Sequence, residues 1–219
     1  MIFAITHPRN GSFKTTTAVN IAANLGIYEK KTLLVDVAGG DASTLLGCER
    51  SLPGITNIYR GGERIVDYVV PTRSPGVDLL PFGTGSFGFG MFWESLLEEL
   101  QSEPYTYIVL DVNLNQYPPL GARYWNWMFF LNHRSPFQVE DARAVESMAH
   151  LVSSVADLSF RVINMGEHAP ALEGLDIFET SLPIDSSIRR YTTPVANSQI
   201  TSHLSRSFTQ LTNEILTLS

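Results

Sequence analysis

Lys14 and Thr15 stand at the head of a segment whose apolar residues Ala18, Ile21, Ala22 and Leu25 recur at helical spacing. They follow a short apolar run, Ile2-Phe3-Ala4-Ile5. Strand, loop, Lys-Thr and helix is the order of a phosphate-binding P-loop, whose pattern is Gly-x4-Gly-Lys-Thr/Ser. In such a loop the backbone N–H groups curl around phosphates and the lysine reaches the β- and γ-phosphates. The next hydroxyl holds magnesium, and the N-terminus of the helix favours the anion. The segment Arg9-Asn10-Gly11-Ser12-Phe13-Lys14-Thr15-Thr16 is therefore the candidate nucleotide-binding loop. Its two glycine slots hold Pro8 and Phe13. At Phe13 a side chain can clash with phosphate. An unfavourable backbone there adds about 1–3 kcal/mol, and about 1.4 kcal/mol is tenfold in affinity.

The elements that must position this loop are short apolar runs alternating with helical patterns. Strands are expected at 2–5, Thr32–Asp36, Val77–Leu80, Tyr107–Asp111, Trp127–Leu131 and Phe160–Asn164, with a short seventh at Phe178–Ser181. Most runs are continuously apolar, as in strands covered on both faces. Helices are expected at 14–27, 91–101, 137–155 and 199–218. The expectation is an α/β chain forming one P-loop NTPase-like domain over residues 1–219. It has a mostly parallel twisted sheet of about seven strands with helices on both faces. The ligand crevice then lies at the carboxyl ends of the strands.

Bulk properties narrow the function. Over 219 residues, 44% are apolar, enough for a sizeable core, and the net charge is -7, which disfavours a general polyanion binder. The single cysteine, Cys48, has no internal disulfide partner, and no Cys/His cluster has zinc spacing. No signal-peptide pattern opens the chain, and no apolar run approaches the roughly 18 residues of a membrane span. A reducing, cytoplasmic setting is expected.

Lys14-Thr15-Thr16-Thr17-Ala18-Val19-Asn20-Ile21-Ala22-Ala23-Asn24-Leu25 resembles the P-loop helix of the ParA/MinD family of deviant Walker A ATPases, which share a K-G-G-x-G-K-T-T loop. Further resemblances follow in the family's order: Thr32 to Ala38, Val77 to Pro81, Tyr107 to Asp111, Val162-Ile163-Asn164, and Leu182-Pro183-Ile184-Asp185. The resemblance implies that Asn164 and Pro183 lie on the adenine side. It implies that Thr15, Asp36 and Asp111 form the magnesium side, Asp111 matching the Walker B aspartate. It also implies ATP-dependent homodimers and protein partners, in proteins that position cargo such as DNA, division machinery, flagella, pili or secretion components.

The departures fall on the chemistry. The family's signature lysine aligns with Arg9, which keeps the charge in a bulkier, planar group. Asn10 and Phe13 replace glycines, and Gly11 is retained. The family's second-strand D-x-D-P is Asp36-Val37-Ala38-Gly39 here, so the aspartate associated with hydrolysis is Ala38. Asp41 lies three residues on. Read without the family, a second and less favoured reading has Asp36 and Asp111 simply cap or terminate their strands, and Asn164 is a common strand-ending residue.

Other features read more plainly. Residues 81–93, rich in glycine and aromatics, form either a loop packed on the sheet edge or a docking loop. In the last helix Ile200, Leu204, Phe208, Leu211 and Ile215 form a core stripe whose polar face, with Arg206 alone, lacks the basic residues of a membrane-surface helix. Arg189-Arg190 leaves DNA contact open without indicating it. The histidines His7, His133, His150, His168 and His203 are scattered and read as structural, and Cys48 as inert. Three readings follow: a pseudo-ATPase scaffold with weak or absent nucleotide binding, a slow ATPase switch, and a non-hydrolysing dimer that holds ATP or ADP with Mg2+. The first and third are favoured jointly, with little or no turnover expected.

Overall fold

The computed structural model describes residues 1–219 except 10, 29, 40, 50, 59–62, 86–92, 114–123, 125, 134–137, 155–157, 167–168, 170–171, 185–201 and 219. Seven strands form one sheet: β1 (Ile2–His7), β2 (Thr32–Asp36), β3 (Val70–Pro71), β4 (Val77–Leu80), β5 (Tyr107–Asn113), β6 (Trp127–His133) and β7 (Ser159–Met165). Their order is β3-β4-β2-β5-β1-β6-β7. Every pairing is parallel except that of β3 with β4.

Alternate residues of β1 explain the layering. Phe3 and Ile5 enter one apolar cluster, while Ile2 and Ala4 enter another on the opposite face. The first cluster is closed by Ala18, Ile21 and Leu25 of α1 (Lys14–Ile27) and by Leu204, Phe208, Leu211 and Ile215 of the C-terminal helix, His203–Leu216. The second is closed by Trp93, Leu96, Leu97 and Leu100 of the helix Trp93–Ser102, and by Met148 of the helix Gln138–Ser154. Two one-turn helices, α2 (Ala42–Leu45) and α3 (Ile55–Ile58), follow β2. The three longer helices after them are therefore α4, α5 and α6 in chain order. Ser202 caps α6 by accepting the Ser205 N–H at 3.1 Å.

The C-terminal stripe is thus core, as expected, with Ile200 outside the described residues. The seventh strand is a correction. The segment 178–181 does not pair continuously; isolated parallel bridges join Val162 to Ile177 and Met165 to Leu182. Three steps along β7 are matched by five along the other segment, so the extra length breaks the ladder. The seventh strand is instead the two-residue edge β3, which ends in a proline that has no N–H to extend pairing. Of residues 81–93, Phe82 packs against the second cluster and Trp93 is buried in it, while residues 86–92 lie outside the described residues.

Because the strands are parallel, the ends of β1, β2, β5, β6 and β7 share one edge. Asp36 pairs in register with Asp111, Ile5 with Asp111, and Asn132 with Asn164.

Candidate nucleotide site

The loop after β1 turns through Gly11 (φ 74°) and Phe13 (φ 64°, ψ 14°). Phe13 is the one non-glycine residue with positive φ among those described. It therefore holds the backbone shape glycine favours, at a cost of about 1–2 kcal/mol. Its ring packs against the first apolar cluster, which offsets part of that cost. Its carbonyl accepts the Thr17 N–H at 2.8 Å and so starts α1.

Lys14 is 5% exposed, and its Nζ donates to the Arg9 carbonyl at 2.8 Å and to Ser12 Oγ at 3.4 Å. Ser12 Oγ donates to the same carbonyl at 2.8 Å. Burial lowers the ammonium's pKa, and the Asp111 carboxylate opposes that shift. An anion entering the loop would offer this buried cation a charged partner in place of a carbonyl.

Thr15 Oγ1 donates to Asp111 Oδ2 at 2.6 Å. Asp111 is fully buried, and its Oδ1 has no hydrogen-bond partner. Burial pushes its carboxyl up to about 6, against the pull of the Thr15 hydroxyl and Lys14. An acceptor left open in the interior is costly unless something fills it. The hydroxyl and carboxylate together are hard oxygen donors of the kind a hydrated magnesium ion takes, usually with only one or two protein ligands and the rest water and phosphate. The residues present therefore fit a magnesium-nucleotide. Among the described residues no group of three or more His, Cys, Asp or Glu has metal-holding geometry, which such an ion does not require.

Asp36 is buried, and its Oδ1 accepts the Gly39 N–H at 2.9 Å, closing the turn that leaves β2. Ala38 is half-buried, and Asp41 is exposed at the start of α2 without a side-chain cap bond. Thr16 is half-buried, its carbonyl accepting from Asn20 Nδ2 at 2.8 Å. Asn164 Oδ1 accepts from Asn132 Nδ2 at 2.8 Å, and the Asn164 carbonyl accepts the Leu182 N–H at 2.9 Å. That bond brings Pro183 beside the end of β7. Asn10 and Arg189-Arg190 lie outside the described residues.

The structure brings together residues that the sequence left apart. Arg9 Nε donates to Asp141 Oδ1 at 3.0 Å, and an Arg9 terminal nitrogen lies 3.8 Å from Glu140. Both acids are in the first turn of α5. His7, expected to be merely structural, stacks on His133 with ring centroids 4.7 Å apart and accepts the Arg9 N–H on Nδ1 at 3.0 Å. Burial, His133 and Lys14 lower the His7 pKa to about 4, against the pull of the Asp141 carboxylate.

The whole architecture superimposes on a MinD cell division protein from Aquifex aeolicus, with a TM-score of 0.81 and 19% identity, covering 100% of this chain and 97% of that one. The chain is a ParA/MinD-type P-loop fold. A MinD from Pyrococcus horikoshii solved with Mg-ADP aligns with a TM-score of 0.80 at 18% identity, over 98% of this chain and 95% of that one. In sequence, the chromosome partitioning protein ParA of Caulobacter vibrioides is 30% identical over 124 residues, 50% of this chain and 46% of that protein. The match thus spans about half the length of that ParA protein. No protein-family model matches the chain.

With the ParA/MinD fold established, the residues missed from the sequence can be named as His133, Glu140 and Asp141. His133 ends β6, and Glu140 and Asp141 lie in the first turn of α5. The signal that could have found His133 is that it and His7 both end parallel strands, which places them on one edge; nothing in the local sequence marks Glu140 or Asp141.

Proposed function

We propose that this protein is a positioning protein of the ParA/MinD kind that binds adenine nucleotide with magnesium and hydrolyses it slowly or not at all. The observation that carries this is the Thr15–Asp111 hydrogen bond of 2.6 Å, with Asp111 Oδ1 left open beside buried Lys14. In the proposed complex Lys14 and the N–H groups of residues 10–16 hold the phosphates, and Thr15 and Asp111 hold magnesium and its water. Asp36 supports that side, and Asn164 with Pro183 flanks the base. Bound magnesium supplies charge neutralisation between phosphates.

Slow turnover rests on Ala38. No carboxylate stands where the family resemblance places the one associated with hydrolysis, and the nearby Asp41 is exposed. The proposed working unit is a homodimer that docks a protein partner. A related MinD from Aquifex aeolicus was solved in a complex named MinC:MinD, which supports the second half of that reading. No helix among the described residues is long and apolar enough to cross a membrane.

Calorimetric titration with ATP and ADP, with and without magnesium, tests the reading, together with phosphate release. Magnesium-dependent binding with little turnover is expected. No binding of either nucleotide would leave a scaffold with an empty pocket. Turnover that Lys14→Ala abolishes would mark an active switch.

A further inference from the structure

His7 ends β1 and is 1% exposed. Its Nδ1 accepts the Arg9 N–H at 3.0 Å. A ring nitrogen that accepts carries no proton, so the proton of the neutral ring sits on Nε2. Nε2 lies 3.9 Å from Asp141 Oδ2, a buried oxygen without a hydrogen-bond partner. The other oxygen of Asp141 takes the Arg9 side chain at 3.0 Å. One residue, Arg9, is thus held at its N–H by His7, at its side chain by Asp141, and at its carbonyl by Lys14 and Ser12.

A side-chain acceptor bonded to the N–H two residues on is the closure that Asn and Asp make in Asx turns. Here an imidazole makes it, in a loop short of glycines. Packing alone does not fix the ring. It stacks on His133 and lies 5.5 Å from Phe130, but it also borders a cavity of about 420 Å³ between the sheet edge and α5. The polar contacts decide its orientation. Titratable groups face it from several elements: His133 of β6, Asp141 of α5 and Lys14 of α1, with the Arg9 N–H from the loop itself.

We infer that His7 is a positioning residue for the phosphate-binding loop, fixing Arg9 and with it the path of the loop's first half, and linking that half to α5 through Asp141. The inference rests on the nucleotide-binding reading. Its consequence is that the loop's first half depends on an acceptor at position 7 rather than on backbone freedom.

Two substitutions separate this role from bulk. His7→Asn keeps an acceptor at the same number of bonds from the backbone as Nδ1, whereas His7→Leu removes it at similar size. The Mg-ATP affinity of His7→Asn should stay within about threefold of the parent, and that of His7→Leu should fall at least about tenfold, the worth of one such bond. Equal affinity for all three proteins, or equal loss in both variants, would overturn the inference. A nucleotide-free measurement keeps it separate from the binding reading. The Arg9 amide should be protected from hydrogen exchange in the parent and in His7→Asn, and exchange at least about tenfold faster in His7→Leu. Imidazole nitrogen NMR should show the Nε2–H tautomer of His7, and an Nδ1–H tautomer would sink the proposal.

Discussion

From Phe13 onward the P-loop is governed by α1; before Phe13 it is governed by β1 and α5. In the second half, the helix start fixes Lys14 and Thr15 and aims the hydroxyl at Asp111, 2.6 Å away. The chain enters α1 through Phe13 in the left-handed conformation, φ 64°, where a helix N-cap ordinarily has extended backbone. In the first half no regular element sets the path, so side chains do: His7 holds the Arg9 N–H and Asp141 holds its guanidinium. The difference teaches where glycines are dispensable. Packing on the core can hold a phenylalanine in glycine's conformation, whereas a free turn needs a specific acceptor.

The largest break in that comparison comes from the second half. Lys14→Ala should weaken Mg-nucleotide binding about 100-fold, the worth of a charge-assisted contact of about 2–3 kcal/mol, measured by calorimetry.

Next comes Asp111→Asn, which should abolish the magnesium dependence and stabilise the nucleotide-free protein near pH 7 by about 1–3 kcal/mol, because a buried open carboxylate is removed. Denaturant melts across pH carry a sign test. Between roughly pH 6.5 and 4 the unfolded His7 binds a proton that the folded ring, at about 4, does not, so acid removes stability at this group. Asp111 acts oppositely. Folded at about 6 against 3.8 unfolded, it contributes stability in acid that is lost as pH rises through 6. The two slopes offset one another between about pH 4 and 6. Asp111→Asn should therefore make stability fall on acidification, and His7→Asn should make it rise.

In the first half, Asp141→Ala should cost about 1–2 kcal/mol of stability, because it strips a buried partner from Arg9. Glu140→Ala should cost less than about 0.5 kcal/mol, because its contact is long and exposed. Equal effects would show that Arg9 is held by general charge rather than by Asp141. A small effect is also expected for Phe13→Gly. The backbone is already left-handed there and the ring sits on the core, so stability should change by less than about 1 kcal/mol and nucleotide affinity by less than about threefold. A large gain in affinity would mean that the ring obstructs the loop.

Much of the frame was legible in the residues. The continuously apolar runs gave six of the strands, and the Lys14–Ile27 helix has the bounds that its spacing predicts. The two-residue edge β3 was not legible, because so short a run carries no periodicity. Nor was the failure of 178–181 to pair, which depends on a length mismatch against β7.

By itself the sequence determined the Lys14-Thr15 head of the helix, the carboxylates at the strand ends, and the absence of one at Ala38, because these follow from residue type and local period. The tertiary structure alone decided that Thr15 meets Asp111, that Phe13 takes a glycine's shape, and that His7, His133 and Asp141 surround Arg9. Those contacts join residues 96 to 134 positions apart across neighbouring parallel strands and a covering helix. Strand order, which puts β6 beside β1, is set by packing over the whole sheet and leaves no mark in local spacing.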